Sequence, residues 1–306
     1  MTATLAPSQP LVTVGVPVRN GASMLTAALE TVVRQTWPHL EIIISDNGST
    51  DGTAEICQRF AAADPRIRYH RQERFLSAFE NFEFVLQQAQ GEFFLWAAYD
   101  DLRSENFVEV LVAGLQQHPT AILAFSDLLV GTPQQGWQPA KAFQCENTSR
   151  SVLKRLHVTA NRQCYHIYGV WRTAAIRRSA FRNTFFWPDL PVMMGASALG
   201  TFIHVPGATF SYYEVPKTNE DRLKADSNVG RKRFLILRVT WGTFRNLISV
   251  GAPLLAPIAA WFVFAKRLHA WIDIEVRGVC YRLSPDWIRS AWRGLKQRLR
   301  RHPPVE

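Results

Sequence analysis

Residues 11–18, LVTVGVPV, and residues 40–51, LEIIISDNGSTD, decide the fold. The first is a short apolar, β-branched run stopped by Pro17 and Asn20-Gly21, which reads as a buried strand. The second is another buried strand, ending in an acidic turn. Between them, 23–36 repeats apolar residues at helical spacing, with Ser23 as the expected N-cap. Further on, DNGSTDGTAEICQRFAAAD reads as turn then helix, IRYHRQ as a third strand and 77–90 as a helix. Gly91 precedes EFFLWAAYDD, a strand running into acidic residues, and a helix over 104–117 leads to a strand at 120–126. Strands alternating with helices predict an α/β fold, with a mostly parallel central sheet flanked by helices on both faces. Residues 129–165 are less regular, and GTPQQGWQP reads as a surface loop.

Composition narrows the function. Of 306 residues, 47% are hydrophobic and 20% charged, so a sizeable core forms and wholesale disorder is excluded. Cys57, Cys145, Cys164 and Cys280 are scattered without a CxxC pair, which argues against a disulfide framework or zinc ribbon. The net charge of +10 is uneven: 1–216 holds 17 basic and 18 acidic residues, and 217–306 holds 18 and 7. Such a tail suits phosphates of nucleic acid or of an anionic membrane. The start, MTATLAPSQP, has no basic-then-apolar leader pattern and reads as a flexible N-terminus over 1–10.

In open α/β sheets ligands collect at the carboxyl ends of the strands. Three polar clusters fall there: Pro17-Val18-Arg19-Asn20, Asp46 to Asp51, and Asp100-Asp101. No GxGxxG or GxxxxGK[ST] follows the first strand, which disfavours dinucleotide and P-loop readings. Asp46 stands at a strand end, where a carboxylate can accept a hydrogen bond from a nucleobase N–H. Ser49, Thr50 and Asp51 read as caps of the following helix. Asp100 and Asp101 suit a hard divalent cation bridging phosphate oxygens; the bland alternative is that one of them caps the next helix.

In order, VGVPVRNGASMLTAALETVVRQTW, EIIISDNGSTDGT and GEFFLWAAYDDLRSENFVEVL resemble the N-terminal half of family 2 glycosyltransferases of the GT-A, Rossmann-like fold, the type found in bacterial cell-surface polysaccharide synthesis. The resemblance covers 11–130 well, and HIYGVWRTAAIRRSAF loosely resembles the acceptor-side region. It implies that Pro17, Val18, Asn20 and Asp46 hold the base and ribose of a nucleotide-sugar donor, a UDP-, GDP- or dTDP-sugar. The family's Asp-x-Asp element falls on Ala98-Tyr99-Asp100, so the first acid is absent here. Asp100 is then the ligand of a Mg2+ or Mn2+ ion, with Tyr99 and Asp101 as donor contacts and Arg74 or Arg71 near the diphosphate. The family's late histidine has no match, since the strand ATFSYYEVP ends in Glu214 and His204 lies upstream. The family's base is an acid after the acceptor-side strand, and Asp189 is the only acidic residue between Glu146 and Glu214. It is the nominated catalytic base, with a role as helix cap as the alternative. Phe185, Phe186 and Trp187 read as core, or as a platform for an acceptor.

The last ninety residues have another texture. Twenty uncharged residues, 246–265, separate Arg245 from Lys266, a length that as a helix spans about 30 Å. Pro253 and Pro257 interrupt it, and DWIRSAWRGLKQRLRR follows, with Trp287 and Trp292 among arginines. Tryptophan with basic residues suits a membrane interface. The expectation is a GT-A catalytic domain over 11–216 and a helical, membrane-associating region over 217–306. That region would lie at the inner, cytoplasmic face of the cell membrane, peripheral or monotopic rather than spanning. A soluble helical subdomain is the alternative.

The reading that follows is an inverting transferase acting on a saccharide or polyprenyl-linked acceptor, without nucleic acid as a partner. Competing readings are a nucleotide-sugar-binding protein without catalysis and a basic nucleic-acid- or membrane-surface-binding protein. A nucleotidyltransferase is weaker, because the first loop lacks a glycine-rich phosphate cradle.

Overall fold

The computed structural model describes residues 9–140, 146–161, 165–179, 189–214 and 229–266, with only the backbone for 229–236 and 238. It divides the chain into two compact units, 1–263 and 264–306. The first contains all of the described residues up to Val263, including the start of the region expected from 217 onward.

Strands β1 (Val12–Val18), β2 (Leu40–Asp46), β3 (Ile67–Arg71) and β4 (Phe93–Trp96) pair in parallel in the order β3-β2-β1-β4. Helices α1 (Ala22–Val33), α2 (Thr53–Ala63) and α3 (Ala78–Gln88) connect them. The apolar runs read from the sequence are buried along their whole length in β1 and β4, as expected for strands covered on both faces.

Beyond β4 the sheet is mixed. Strand β5 (Leu102–Arg103) is followed by α4 (Phe107–Gln117), β6 (Ala121–Thr132) and β7 (Gly136–Pro139). A second group follows: α5 (Val152–Ala160), a 3-10 turn at Tyr165–Tyr168, β8 (Val170–Arg172), α6 (Thr173–Ser179), α7 (Asp189–Leu199) and β9 (Thr201–Tyr213). Strand β8 lies antiparallel between β4 and β6, β9 runs parallel to β6, and β5 pairs antiparallel with β9. The order is β3-β2-β1-β4-β8-β6-β9-β5, with β7 on β6.

Three local expectations are corrected. Helix α1 begins at Ala22 with Gly21 as N-cap, so Ser23 lies inside it. The Asp51 carboxylate explains the earlier start, because it accepts from the Ala22 amide at 3.1 Å. The expected loop GTPQQGWQP is largely the β6–β7 hairpin, with Thr132 opposite Gly136, where Gly136 at φ +79° takes the left-handed turn position. Helix α4 begins at Phe107 with Asn106 as N-cap, so neither Asp100 nor Asp101 caps it.

Helix α8 (Val229–Ser249) packs on α7, and a 3-10 turn at Pro253–Leu255 leads into helix over 256–266. These helices share a second core, in which Val239, Leu247, Ala256, Ala259 and Val263 meet Leu156, Leu190 and Met194. The uncharged stretch 246–265 is thus divided at Gly251 (φ +85°) and Pro253. Among the described residues no helix is long and apolar enough to cross a membrane. Trp287, Trp292, Phe185, Phe186, Trp187 and most of the 1–10 N-terminus lie outside the described residues.

Candidate active site

The parallel registers bring the three polar clusters to one edge. Val18 pairs with Asp46, and Gly15, three residues before Val18, pairs with Trp96, the last residue of β4. The loops after β1, β2 and β4 therefore leave the sheet side by side. Asn81 of α3 ties two of them together, donating to the carbonyl of Ser45 at 3.1 Å and to that of Val18 at 3.5 Å. A Cβ on Gly21 would sit 2.6 Å from the Tyr99 ring, so glycine there lets the first loop touch the third.

The first two loops are stitched into one frame. Asn20, at φ +50°, donates its amide to Ser49 Oγ at 2.9 Å and accepts from the Thr50 amide at 2.9 Å. The Gly21 amide donates to Thr53 Oγ1 at 3.0 Å. Asp51 accepts from the Thr53 amide and hydroxyl, the hydroxyl bond chief among the causes that hold its carboxyl below the usual range. The N-cap of α2 is Gly52 rather than Ser49, Thr50 or Asp51, and Asp51 instead bonds the helix's first amide from one residue earlier. Asn47 clamps Leu76 in both directions, at 2.7 and 2.8 Å, which fixes the loop before α3.

Asp46 is wholly buried in this frame. Its Oδ1 accepts from the Ser49 amide at 2.9 Å, and its Oδ2 from Tyr69 Oη at 3.0 Å and Arg71 at 3.3 Å. Burial, with the Asp46 charge behind it, pushes the Tyr69 hydroxyl up to about 12. Arg71 also donates to the Ser49 carbonyl at 2.9 Å. The side chains of Pro17 and Val18 are buried in β1, so this loop meets solvent from Arg19 onward. Arg74 is exposed in the loop before α3; the Ser77 hydrogen bonds chiefly hold the Glu80 carboxyl low, with the Arg74 charge a lesser aid.

The third loop is bonded far more sparsely. Asp101 is buried; its Oδ1 accepts from the Tyr213 amide at 3.2 Å, and its Oδ2 has no hydrogen-bond partner. Burial raises its carboxyl to about 7, against the opposing pull of Arg103. Arg103 donates to the Trp96 carbonyl at 2.9 Å, lies over the rings of Phe107 and Phe210, and has two further buried nitrogens without partners. Burial also raises the carboxyl of Asp100. Tyr99 feels the charges of Asp100, Asp101 and Asp51, which links this loop to the frame.

Tyr168, in the 3-10 turn before β8, joins the acceptor-side segment to the acid pair. Burial lifts its hydroxyl well above the ordinary value, and Asp189, Asp101 and Asp100 add to the shift in that order. Asp189 is the first residue of α7, open to solvent yet surrounded by enough protein to raise its carboxyl. A gap of about 10 Å³ beside Tyr168, lined by Phe107, Phe125 and Phe210 among others, is far smaller than the ~300–1,000 Å³ of a ligand pocket and reads as a packing gap. His204 is bonded to Asp127 Oδ1 at 2.8 Å. A bulge interrupts β9 after His204, so His204 and Tyr213 stand opposite Phe125 and Gly131 of β6, roughly 20 Å apart along the sheet, and His204 is remote from Asp101.

The acid pair fits a divalent cation. Its donors are hard carboxylate oxygens, and Asp101 carries a buried oxygen without a partner. Among the described residues no three His, Cys, Asp or Glu side chains gather as a cation site. The fit is to an ion held by one or two carboxylates and completed by phosphate oxygens and water. Tyr69, Asn81, Arg103 and Tyr168 were not singled out in the sequence. Tyr168 sits inside HIYGVW, so proximity to that motif was the one available signal.

Comparison with known proteins bears on the family and the fold. The family model described as "Glycosyl transferase family 2" matches residues 13–185. Glycosyltransferase GlyG of Streptococcus pneumoniae is 35% identical over 107 residues, 35% of this chain and 36% of GlyG. The putative teichuronic acid biosynthesis glycosyltransferase TuaG of Bacillus subtilis is 34% identical over 101 residues, 33% of this chain and 40% of TuaG. The alignments thus span little more than a third of these relatives. Among solved structures, Staphylococcus aureus TarS 1–349 in complex with UDP superposes with a TM-score of 0.59 at 17% identity, covering 92% of this chain and 78% of TarS. The mannosyltransferase PcManGT of Pyrobaculum calidifontis, in complex with GDP-Man and Mn2+, gives 0.57 at 16% identity, covering 98% and 84%. These likenesses show a shared fold.

Proposed function

This chain belongs to glycosyl transferase family 2, and on that premise we propose that it moves a sugar from a nucleotide-sugar donor to a hydroxyl of a saccharide or polyprenyl-linked acceptor, inverting the anomeric centre. The observation that carries the proposal is the meeting of the loops after β1, β2 and β4 at one sheet edge, where Asp101 keeps a buried carboxylate oxygen without a hydrogen-bond partner. The charges of Asp189, Asp101 and Asp100 all act on the buried Tyr168 hydroxyl, which supports assigning Asp189 to the same site as the acid pair.

The roles follow from the chemistry of each group. Asn20, Asp46 and the loop around them receive the base and ribose, Asp46 acting chiefly by holding that loop's shape. Asp100, with Asp101 beside it, would hold Mg2+ or Mn2+, which as a Lewis acid offsets the charge that grows on the departing diphosphate. Arg74 is free of the Asp46 frame and can reach the same phosphates. Asp189 takes the proton of the acceptor hydroxyl as its oxygen bonds to the anomeric carbon. The electron pair of the broken bond leaves with the nucleoside diphosphate. A carboxylate with a raised pKa is a better base for that transfer.

The relatives support a donor of this class: TarS structures contain UDP and UDP-GlcNAc, and PcManGT contains GDP-Man. TuaG, by its name a teichuronic acid enzyme, supports a cell-surface polysaccharide as product. The basic excess over 217–306 supports work at the inner face of the membrane, on its anionic lipids.

The test is a thermal-shift screen of UDP-, GDP- and dTDP-sugars with and without Mn2+. One nucleotide class stabilises the chain by about 2.7 kcal/mol at a hundredfold excess over its Kd. Absence of any nucleotide effect, together with absence of turnover on every donor, would overturn the proposal. Retention of configuration in the product would overturn the single-displacement part.

A further inference from the structure

The two C-terminal helices each bury one face and leave the opposite face apolar and exposed. On α8, Val239, Thr243 and Leu247 are buried, while Leu237, Trp241 and Ile248 are exposed. Spacings of four and seven residues put those three on one stripe, on which Phe244 stacks against Trp241 at 5.4 Å. After the break at Pro253 the pattern repeats. Ala256, Ala259 and Val263 are buried, while Leu254, Ile258 and Trp261 are exposed at spacings of four and three. Trp241 is 60% exposed, Trp261 63% and Leu254 87%. Isolated apolar residues on a surface need no explanation; two successive helices repeating the same stripe do.

The charge of this segment selects the occupant. Residues 229–266 carry six Lys and Arg and no Asp or Glu. A second copy of the chain would bring the same six positive charges to the contact, whereas an anionic lipid surface complements them. Tryptophan is a side chain of choice for the bilayer interface, its ring among the upper acyl chains and its N–H at the headgroups. With no helix among the described residues both long and apolar enough to cross, the geometry suits lying in the surface.

We propose that the stripe Leu237–Trp241–Ile248 of α8, with Leu254, Ile258 and Trp261 after the break, is a membrane-docking face that inserts into the headgroup boundary of an anionic bilayer. This deepens the membrane-facing part of the proposed function and rests on it for its purpose. Binding is measured without sugar transfer, so the two can fail separately: a chain that does not float can still turn over donor, and one that floats need not.

The experiment is flotation of the full chain with vesicles of phosphatidylcholine alone or with phosphatidylglycerol. Expected is binding to the anionic vesicles that falls about tenfold or more in the triple variant Trp241→Ser, Leu254→Ser, Trp261→Ser. Unchanged melting temperature and nucleotide binding establish that the variant folds. Leu254→Ser alone, in the exposed turn, lowers binding roughly threefold and covers the case where the triple variant misfolds. Three results overturn the proposal. The wild-type chain ignores phosphatidylglycerol vesicles, or the variants bind them as well as wild type because basic residues alone suffice. Alternatively, light scattering finds a wild-type dimer that the triple variant dissociates, which makes the face a contact between copies.

Discussion

Asp46 and Asp101 are both buried aspartates at the loop end of the same sheet, and they are opposites. Asp46 accepts three hydrogen bonds, one from the partly exposed Arg71. Asp101 accepts one, from a backbone amide, and keeps an oxygen without a hydrogen-bond partner. A satisfied carboxylate fixes the shape of its loop, and a starved one awaits positive charge. The molecule thus has a frame side, built around Asp46, and a proposed reactive side, where the charges of Asp189, Asp101 and Asp100 act on Tyr168.

The strongest challenge to this contrast is a pair of substitutions with opposite signatures. Asp189→Asn is expected to lower kcat roughly 100- to 10,000-fold with little change in melting temperature, measured by donor turnover and calorimetry. Asp46→Ala is expected to destabilise the fold by about 3 kcal/mol, because three donors lose a charged acceptor. If the two effects exchange places, the division between frame and reactive side is wrong.

A pH series sharpens the contrast. Burial raises the Asp101 carboxyl to about 7, above its unfolded value near 4, so between those values the folded chain binds more protons. Its contribution to stability is therefore greatest below about pH 4 and is lost as the pH rises through 7. Without divalent cation, Asp101→Asn is expected to be more stable than wild type at pH 8, by on the order of 2 kcal/mol, and to lose that advantage towards pH 4. Urea unfolding at the two pH values measures this, and an asparagine variant less stable at pH 8 contradicts it. The smallest effect belongs to Tyr69→Phe, which removes one of three bonds to Asp46 and costs about 1 kcal/mol by thermal melting.

The nucleotide-side half was readable because each strand is a short apolar run and each loop starts at a polar break. LVTVGVPV and LEIIIS became β1 and β2 to within one residue each. The other half depends on distant pairing. Strand β8 is only three residues long and has no periodicity to find, yet it lies antiparallel beside β4. The β6–β7 hairpin carries Gln, Gly and Pro, and its strand character comes from pairing with the apolar β6 rather than from its own residues. The bond from Tyr213 to Asp101 joins residues 112 apart, and local pattern contains nothing about it.

The cap of α1 failed for a related reason. Ser23 looked like a cap by composition, but the group that bonds the helix's first amide is Asp51, from the next loop. Frame residues recognise one another through the fold, and the sequence displays only their types.

Asn246 of α8 donates to the carbonyl of Pro191 at 2.7 Å and to that of Ser179 at 3.1 Å, beside a Gly195 too crowded for any side chain. Pro191 stands two residues past Asp189 in the same first turn. Whatever holds or tilts α8 therefore pulls on the root of that turn through one amide side chain, a mechanical leash between the outer helix and the nominated base.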